Sequence, residues 1–400
     1  MSSLSVQEVP LVRTRLPGQN TENLYRRGTV EISLNYAEDL YSDWPTPTCI
    51  VSDGPYGLSG YPGDLTDVVN LPDWYRPHIQ AWADSATPQT TLWFWNSELG
   101  WATVHPVLQE LGWEYRSCHI WNKGMGHIAG NANTKTLRKL PVITEVCVQY
   151  VKTARFDNLT LQKWLRHEWL RAGLPLSKAN EACGVVNAAT RKYLTTDHLW
   201  YFPPPEAFCA LAKYANLHGD PSGRPYFSVN GKTPLSAIEW ERQRAKFRCP
   251  IGLTNVWQHP HVGGNERVNG ERQKMRWKFK SLHGSQKPLK LVNTTIDVCT
   301  DKHDVVWEPF GGLCPAAVCS WRSGRICRSA EIIGSYIPKC HKDSLRLLFC
   351  VDGAPVRSVS LPSTHAPGIL PPKLRASRPL SRMFFAALMS RSSEWPQVLQ

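Results

Sequence analysis

The 400-residue sequence predicts an α/β fold: a doubly wound, mostly parallel sheet, interrupted by an inserted helical and basic region. Three observations predict it. Apolar, strand-like runs alternate with helix-like runs over residues 1–150 and again over 281–348. A helix-rich stretch separates these two blocks. The charge is uneven, at −5 over residues 1–150, +11 over 151–280 and +7 over 281–400, within a net +13.

The elements follow in chain order. TVEISLN, from Thr29, alternates and is β-branched, so it reads as a strand. TCIVS, from Thr48, is an apolar strand running into the turn DGPYG. LPDWYRPHIQAWADSA and ELGWATVHPVLQELG have helical periodicity and flank TTLWFWNS, an aromatic strand. WEYRSCHIWNKG and PVITEVCVQYVK add two more strands.

From Phe156 the pattern turns helical and basic. LTLQKWLRHEWLRAG predicts a helix capped by Thr160 or Asn158. LSKANEACG predicts a short helix stopped by Gly184, and NAATRKYLT a third helix opened by Asn187. PEAFCALAKYANLHG is a fourth, with Pro205 in its first turn. Helix, glycine-bearing turn and short helix together have helix-turn-helix spacing, a common DNA-reading arrangement. Residues 241–280 are loop-rich and basic, with ERQRAKFR and ERQKMRWKFK. The strand-helix pattern then resumes with LKLVNTTIDVCT, DVVWEPF, PAAVCSWRSG and RICRSAEI.

These runs divide the chain into an N-terminal extension (1–23), a first half-sheet (24–153), the basic insertion (154–280), a second half-sheet (281–348) and a basic tail expected to be poorly ordered (349–400). A composition of 42% apolar and 20% charged residues excludes a wholly disordered chain. No run of about 18 apolar residues is present, so no membrane span or membrane partner is expected. The first residues lack a secretory apolar core, so a cytoplasmic protein with reduced thiols is expected. The 12 cysteines contain no C-x-x-C pair, so no structural zinc site is expected. Core packing accounts for most of the 17 tryptophans, and base stacking for a few. The basic middle and end predict a polyanion-binding module.

Three segments carry candidate chemistry. Asp53, Gly54, Pro55 and Tyr56 follow an apolar strand, where open α/β sheets bind ligands. Acceptor oxygens beside a flat ring suit the exocyclic amino group of a stacked base; an ordinary turn is the plainer alternative. Glu308, Pro309, Phe310, Gly311 and Gly312 end a second strand; the glycines permit close ligand approach, and Glu308 suits a ligand amine. Glu331 follows roughly 20 residues on, where an acid accepts hydrogen bonds from a ribose in dinucleotide sites. The third segment, His283 to Val292, holds Gln286, Lys287 and Pro288 before a helix.

Together with I-W-N-K at Ile120–Lys123, Glu145 and T-N-V-W at Thr254–Trp257, these segments resemble the amino-specific DNA methyltransferases of the N6-adenine/N4-cytosine type. Their order resembles the β arrangement: catalytic motif first, target recognition next, cofactor motif last. The resemblance covers Leu24 to Leu348 and implies a sheet that binds S-adenosylmethionine, with no metal. The tetrapeptide D/N/S-P-P-Y/F/W falls on Asp53–Tyr56 and D-P-F-x-G-x-G on Glu308–Cys314. Glu331 matches the ribose acid, and His283, Gln286, Lys287 and Pro288 the segment lining the methionine end. The resemblance implies base flipping, direct transfer to the amino nitrogen, and stacking of the Tyr56 face, with its hydroxyl idle.

Two departures stand out. Gly54 replaces a proline, loosening the turn by roughly 0.4–1 kcal/mol through unfolded-chain entropy. Cys314 replaces a glycine, and its Cβ is expected to intrude on the cofactor. Asp53 at the motif's head points to adenine, with cytosine-N4 as the alternative; the rival reading is a catalytically weakened DNA-binding protein. The insertion would read double-stranded DNA through Asn187, Thr190, Arg191 and Lys192. A restriction-modification enzyme of bacterial, archaeal or phage origin, with a separately acting endonuclease, is the implied setting.

Overall fold

The computed structural model describes residues 24–59, 64–127, 137–272 and 279–337, so the expected extension (1–23) and tail (349–400) lie outside the described residues. Strands β1 (Leu24–Arg27), β2 (Val30–Leu34) and β3 (Cys49–Ser52) lead to α1 (Leu71–Ser85), β4 (Thr91–Asn96) and α2 (Glu98–Glu110). Strands β5 (Trp113–Asn122) and β6 (Thr144–Lys152) close the first half.

The inserted region opens with a hairpin of β7 (Arg155–Phe156) and β8 (Leu159–Thr160). Its helices are α3 (Leu161–Arg171), α4 (Lys178–Ala182), α5 (Pro205–His218) and α6 (Ala237–Glu241). Then come β9 (Val256–Gln258), β10 (Asn269–Arg272) and β11 (Phe279–Ser281). Finally α7 (Leu289–Asp297), β12 (Val305–Glu308), α8 (Pro315–Ser323) and β13 (Ile326–Glu331) complete the described chain.

One sheet of nine strands runs in the order β1-β2-β13-β12-β3-β4-β6-β5-β9. Strands β2, β13, β12, β3 and β4 are mutually parallel. Strand β6 is antiparallel to both β4 and β5, so its start lies at the edge where the parallel strands end. The sheet is therefore doubly wound and mostly parallel, as the alternating runs predict.

The period-two alternation of each strand builds two apolar layers. Ile50, Leu92 and Phe94 pack against Leu71, Tyr75 and Trp82 of α1 and Val104 and Leu108 of α2. Cys49, Val51, Trp93 and Trp95 face the other way, onto Leu291, Val292 and Ile296 of α7 and Ala316 of α8. Every residue of β3 and β4 is buried, because helices cover both faces. Each fully buried large aliphatic or aromatic side chain stabilises the fold by roughly 1.5–3 kcal/mol.

The insertion has a separate core around Trp164, Trp169, Phe208, Phe227 and Trp240. The Trp240 ring stacks on Phe208 at 4.3 Å and on Phe202 at 4.4 Å. Thr160 caps α3 through the amide of Lys163, and Gly184, at φ +65°, ends the turn after α4. The third expected helix is different. NAATRKYLT forms one π-helical turn, Ala189–Tyr193, in which the amide of Leu194 reaches the carbonyl of Ala189. Ala189 and Leu194 are both buried in the insertion core; five-residue spacing brings them to one face, which α-helical spacing does not. Beyond Trp240 the chain returns to the sheet, where β9 pairs with β5, so the region 154–280 is shared between insertion and sheet.

Glu168 organises the insertion from within. Fully buried, it accepts hydrogen bonds from Arg171 at 2.6 and 2.9 Å, from Arg224 at 3.0 Å and from the amide of Phe227 at 2.8 Å. Burial works to raise its pKa, but the Arg171 guanidinium, the Phe227 amide and Arg224 override it and hold the carboxyl below its ordinary value. The corresponding stability is present above the ordinary glutamate range and is lost as pH falls through the depressed folded value. Glu168→Ala should therefore destabilise the insertion by about 3 kcal/mol, since it leaves two arginines without their buried partner. Thermal melts followed by tryptophan fluorescence check both: the variant should melt lower at pH 7, and the gap should narrow in acid.

Candidate active site

Strand β3 continues to β4 on one side, whereas β12 continues to β13 on the other. The chain thus leaves these two neighbours in opposite directions and opens a crevice at their carboxyl ends. A cleft of about 190 Å³ lies there. Asp53–Tyr56 line it from β3 and Pro309–Gly312 from β12. Glu331 reaches it from β13, and His283, Gln286 and Lys287 from the segment before α7.

The Asp53 loop is held from several sides. The carboxylate of Asp64 accepts the amides of Tyr56, Gly57 and Leu58 at 2.8, 2.9 and 3.1 Å. The Pro55 carbonyl accepts from the Tyr75 hydroxyl and the Asn96 amide, each at 3.1 Å. The turn is therefore rigid without a proline at 54. A Cβ on Gly54 would stand 2.6 Å from the Tyr75 hydroxyl and 2.7 Å from the Phe310 ring. A side chain at 54 would need Tyr75 and Phe310 to shift, and the turn expected to be loosened by glycine is held in the folded chain by Asp64, Tyr75 and Asn96.

Asp53, its side chain 20% exposed, lies in a chain of alternating charge centred on the buried Lys287. Its Oδ1 is 2.9 Å from Lys287 Nζ, and the same ammonium is 3.4 Å from Glu145 Oε2. Glu145 Oε1 pairs with Lys123. Burial works to lower the Lys287 pKa, but Asp53 and Glu145 override it and hold the ammonium above the usual lysine value. Burial likewise works to raise Glu145, but Lys287 and Lys123 hold it below the usual carboxylate range. The Tyr56 hydroxyl is 3.0 Å from Asp53 Oδ1 and 3.4 Å from Glu145 Oε2, and donates to this pair. The expectation that only the Tyr56 face matters is corrected: the hydroxyl is engaged, and the residue is only 8% exposed.

The turn after β12 is shaped by its glycines. A Cβ on Gly311 would meet Cys314 Sγ and Ser329 Oγ, both at 2.9 Å, so this backbone presses on β13. Gly312, at φ +53°, donates its amide to Glu331 Oε2 at 2.6 Å, and Glu331 Oε1 accepts from Ile333 at 2.7 Å. Burial raises the Glu331 carboxyl, against these backbone donors.

Two residues of this motif behave otherwise than expected. Glu308 does not line the cleft. It caps α8, accepting the amides of Ala316 at 2.6 Å and Ala317 at 3.1 Å and the Ser329 hydroxyl at 2.8 Å. Burial pushes its carboxyl up to about 8, against these donors. Cys314 does adopt the left-handed conformation that favours glycine, at φ +53°. Its side chain nevertheless enters the apolar core beside Ala316 and Cys327, so no Cβ intrudes on the cleft.

Before α7, Lys287 is buried and His283 packs edge-on against Tyr336 at 4.9 Å. Burial lowers the His283 pKa, favouring the neutral ring. Gln286 faces the cleft, with its amide tied to the Val268 and Glu266 backbone at 3.0 and 2.8 Å. Pro288 sits outside the cleft at the start of α7. The far wall is aromatic: Trp74 and Phe310 lie 5.2 Å apart, with His78 edge-on to Phe310 at 4.9 Å. Trp74 and His78 project from one face of α1; their i, i+4 spacing is the sequence signal for this wall.

The insertion candidates separate into two kinds. The Thr190 hydroxyl is bonded to the Leu176 carbonyl at 2.8 Å and its amide to Asn180 at 3.1 Å, so its polar groups brace the fold. Asn187, Arg191 and Lys192 are exposed, with the Lys192 ammonium 5.5 Å from the Tyr201 ring. Among the described residues no cluster of three or more His, Cys, Asp or Glu is arranged for a metal ion, and no helix is long and apolar enough to cross a membrane.

Known proteins share features of this chain. No curated protein matches by sequence. Among solved structures, the chain is similar to the M1.HpyAVI–SAM complex, with 13% identity, a TM-score of 0.41, and coverage of 77% of this chain and 95% of that one. It is similar to TTHA0409, a DNA modification methylase of Thermus thermophilus described as putative and complexed with S-adenosyl-L-methionine: 13% identity, TM-score 0.40, coverage 81% and 98%. The PvuII DNA methyltransferase, described as cytosine-N4-specific, gives 12%, 0.43, and coverage of 80% and 93%. A family model for N6/N4 methyltransferases, described as DNA methylase, matches residues 48–336, and the chain belongs to that DNA methylase family.

Proposed function

We propose that this chain transfers a methyl group from S-adenosylmethionine to the N6 amino group of adenine at a specific site in double-stranded DNA. The observation that carries the reading is Asp53, a carboxylate paired to a buried lysine in the switch-point crevice, with Tyr56 beside it. The donor supplies an electrophilic methyl group on a positively charged sulfur. The residues present fit it. A Cβ on Gly312 would have nothing nearer than His283 at 3.7 Å, so backbone there can approach a ligand closely. Glu331 offers acceptor oxygens to ribose hydroxyls, and Phe310, Trp74 and Ile332 form apolar walls.

The chain's own residues then do the positioning. An extruded base enters against Tyr56. Asp53 accepts one N–H of the target amino group, and the Gly54 carbonyl accepts the other. Both contacts direct the nitrogen lone pair along the line of transfer, so catalysis is orientation and electrostatics. Asp53, where serine is the alternative, favours adenine. Exposed Arg191, Lys192 and Asn187 read the site, Arg191 as a partner for guanine. In this reading the enzyme is the cytoplasmic methylating half of a restriction-modification pair, its endonuclease acting separately.

Asp53→Ala should nearly abolish transfer on saturating plasmid while calorimetric cofactor affinity survives; full activity would remove this loop from the chemistry. Nucleoside analysis of the wild-type product should show N6-methyldeoxyadenosine, and N4-methyldeoxycytidine would reverse the base assignment. Tyr56→Phe should lower kcat roughly tenfold, the equivalent of about 1.5 kcal/mol for a hydrogen bond to a charged group; an unchanged kcat would show the hydroxyl idle. Glu331→Ala should weaken cofactor binding by about 1.5–3 kcal/mol in a titration without DNA, where unchanged affinity would exclude the ribose role.

A further inference from the structure

Glu145 has no role in the reading above, yet both of its oxygens are committed at the catalytic edge. The reversed direction of β6 places it there: its second residue stands beside the carboxyl ends of β3 and β4. Strand β5 runs parallel to β4 and delivers Lys123 to the same edge, directly after Asn122. An ammonium has three donors. Those of Lys287 find Asp53 Oδ1 at 2.9 Å, Glu145 Oε2 at 3.4 Å and the Ser285 carbonyl at 3.3 Å. The Tyr56 hydroxyl, between Asp53 and Glu145, is shared by the same two carboxylates.

We propose that Glu145 is a positioning residue for methyl transfer: anchored by Lys123, it takes a second, longer share, at 3.4 Å, of the Lys287 ammonium and the Tyr56 hydroxyl, which stand 2.9 and 3.0 Å from Asp53 Oδ1, and so sets the direction and acceptor strength of that carboxylate. The proposal rests on the assignment of Asp53 to the target amino group. Its physical basis is charge balance. Two cations and two carboxylates alternate in a line around the buried Lys287, so no single pair has to neutralise itself. Without the Glu145 charge, the Lys287 ammonium and the Tyr56 hydroxyl keep Asp53 as their remaining carboxylate partner, draw more of its acceptor capacity away from the amino group and rotate it off line. A misplacement on the order of 1 Å costs about 100-fold in rate. Lys123 then becomes surplus positive charge in the same enclosed edge.

The test uses the full chain, steady-state kinetics on plasmid, cofactor calorimetry and crystallography. Glu145→Gln should lower kcat by about 100-fold, with KM for DNA and cofactor affinity unchanged. Glu145→Asp, which keeps the charge, should recover part of the loss. Glu145→Gln combined with Lys123→Met should also recover part, because the line is neutral again; a purely structural role predicts further loss instead. Full kcat in Glu145→Gln alongside an inactive Asp53→Ala would overturn the Glu145 role and leave the Asp53 reading intact. A crystal structure of Glu145→Gln with Lys287 and Tyr56 unmoved would overturn it whatever the activity.

Discussion

The pair of Asp53 and Lys287 joins the two halves of the sheet. Asp53 follows β3, and Lys287 precedes α7 on the far side of the insertion. Removing two such charges from water costs several kcal/mol per ion, and attraction compensates only when the remaining donors are satisfied. Here they are satisfied: Lys287 reaches a second carboxylate and a backbone carbonyl, and the tyrosine hydroxyl reaches both acids. The lysine therefore ties the position of α7 to that of the Asp53 loop. Since α7 packs on α8, which the glycine turn introduces, this contact adds to the β3–β12 pairing in fixing the two ligand-facing edges of the crevice relative to each other.

Local signals in the sequence were enough for seven strands of the main sheet and most helices, while the edge strands β1 and β9 and the short hairpin strands went unread. The β3 and β4 runs are apolar throughout because both sheet faces are covered, and Thr160, Gly184 and Pro205 mark helix ends by local chemistry. The DGPYG and EPFGG turns were legible as ligand-facing because they end such strands. What stayed hidden depends on partners distant in sequence. Glu308 follows the pattern of a ligand-facing acid, but Ser329 and the first amides of α8 take its oxygens. The Tyr56 hydroxyl looked idle because Glu145 lies on a strand whose direction no residue pattern reveals. NAATRKYLT read as an α-helix because spacing of four or five residues cannot be separated in so short a run.

The basic charge of the insertion is also partly internal. Arg171 and Arg224 serve Glu168, while Lys178 and Arg244 pair with Glu181 and Glu241 within one helical turn. The exposed pairs contribute little to stability, and their fields fade within about 8 Å at physiological salt. The positive excess is carried by residues such as Arg191 and Lys192 on the exposed side of the π-helical turn. That turn is fixed from below by the buried Ala189 and Leu194 and by the amide of Tyr201 on the Lys192 carbonyl at 2.7 Å. A short basic segment on a rigid base suits contact with a phosphate backbone or a base edge better than a mobile one, because little conformational entropy is lost on binding.

The two departures from the family's motif bear on whether the site has decayed. A decayed site accumulates substitutions that their surroundings do not accommodate. Gly54 is the opposite case: the Tyr75 hydroxyl and the Phe310 ring occupy the space a side chain would need, and Tyr75 uses that position to bond the Pro55 carbonyl. The rigidity that proline would bring is replaced by Asp64, Asn96 and Tyr75, each bonded to the loop backbone. Cys314 carries a left-handed conformation that disfavours a Cβ, yet its thiol fills a core position between α8 and β13. Burial pushes that thiol well above its ordinary pKa, so it stays a neutral apolar group beside Glu308. Each departure removes a family residue and keeps the backbone feature the residue served: a fixed turn at 54, and a tight glycine-led approach at 311–312. The acceptors that face the cleft, Asp53 and Glu331, are retained and held by several partners. Both departures are therefore accommodated by their surroundings, and the crevice keeps its shape around the acceptors that face it.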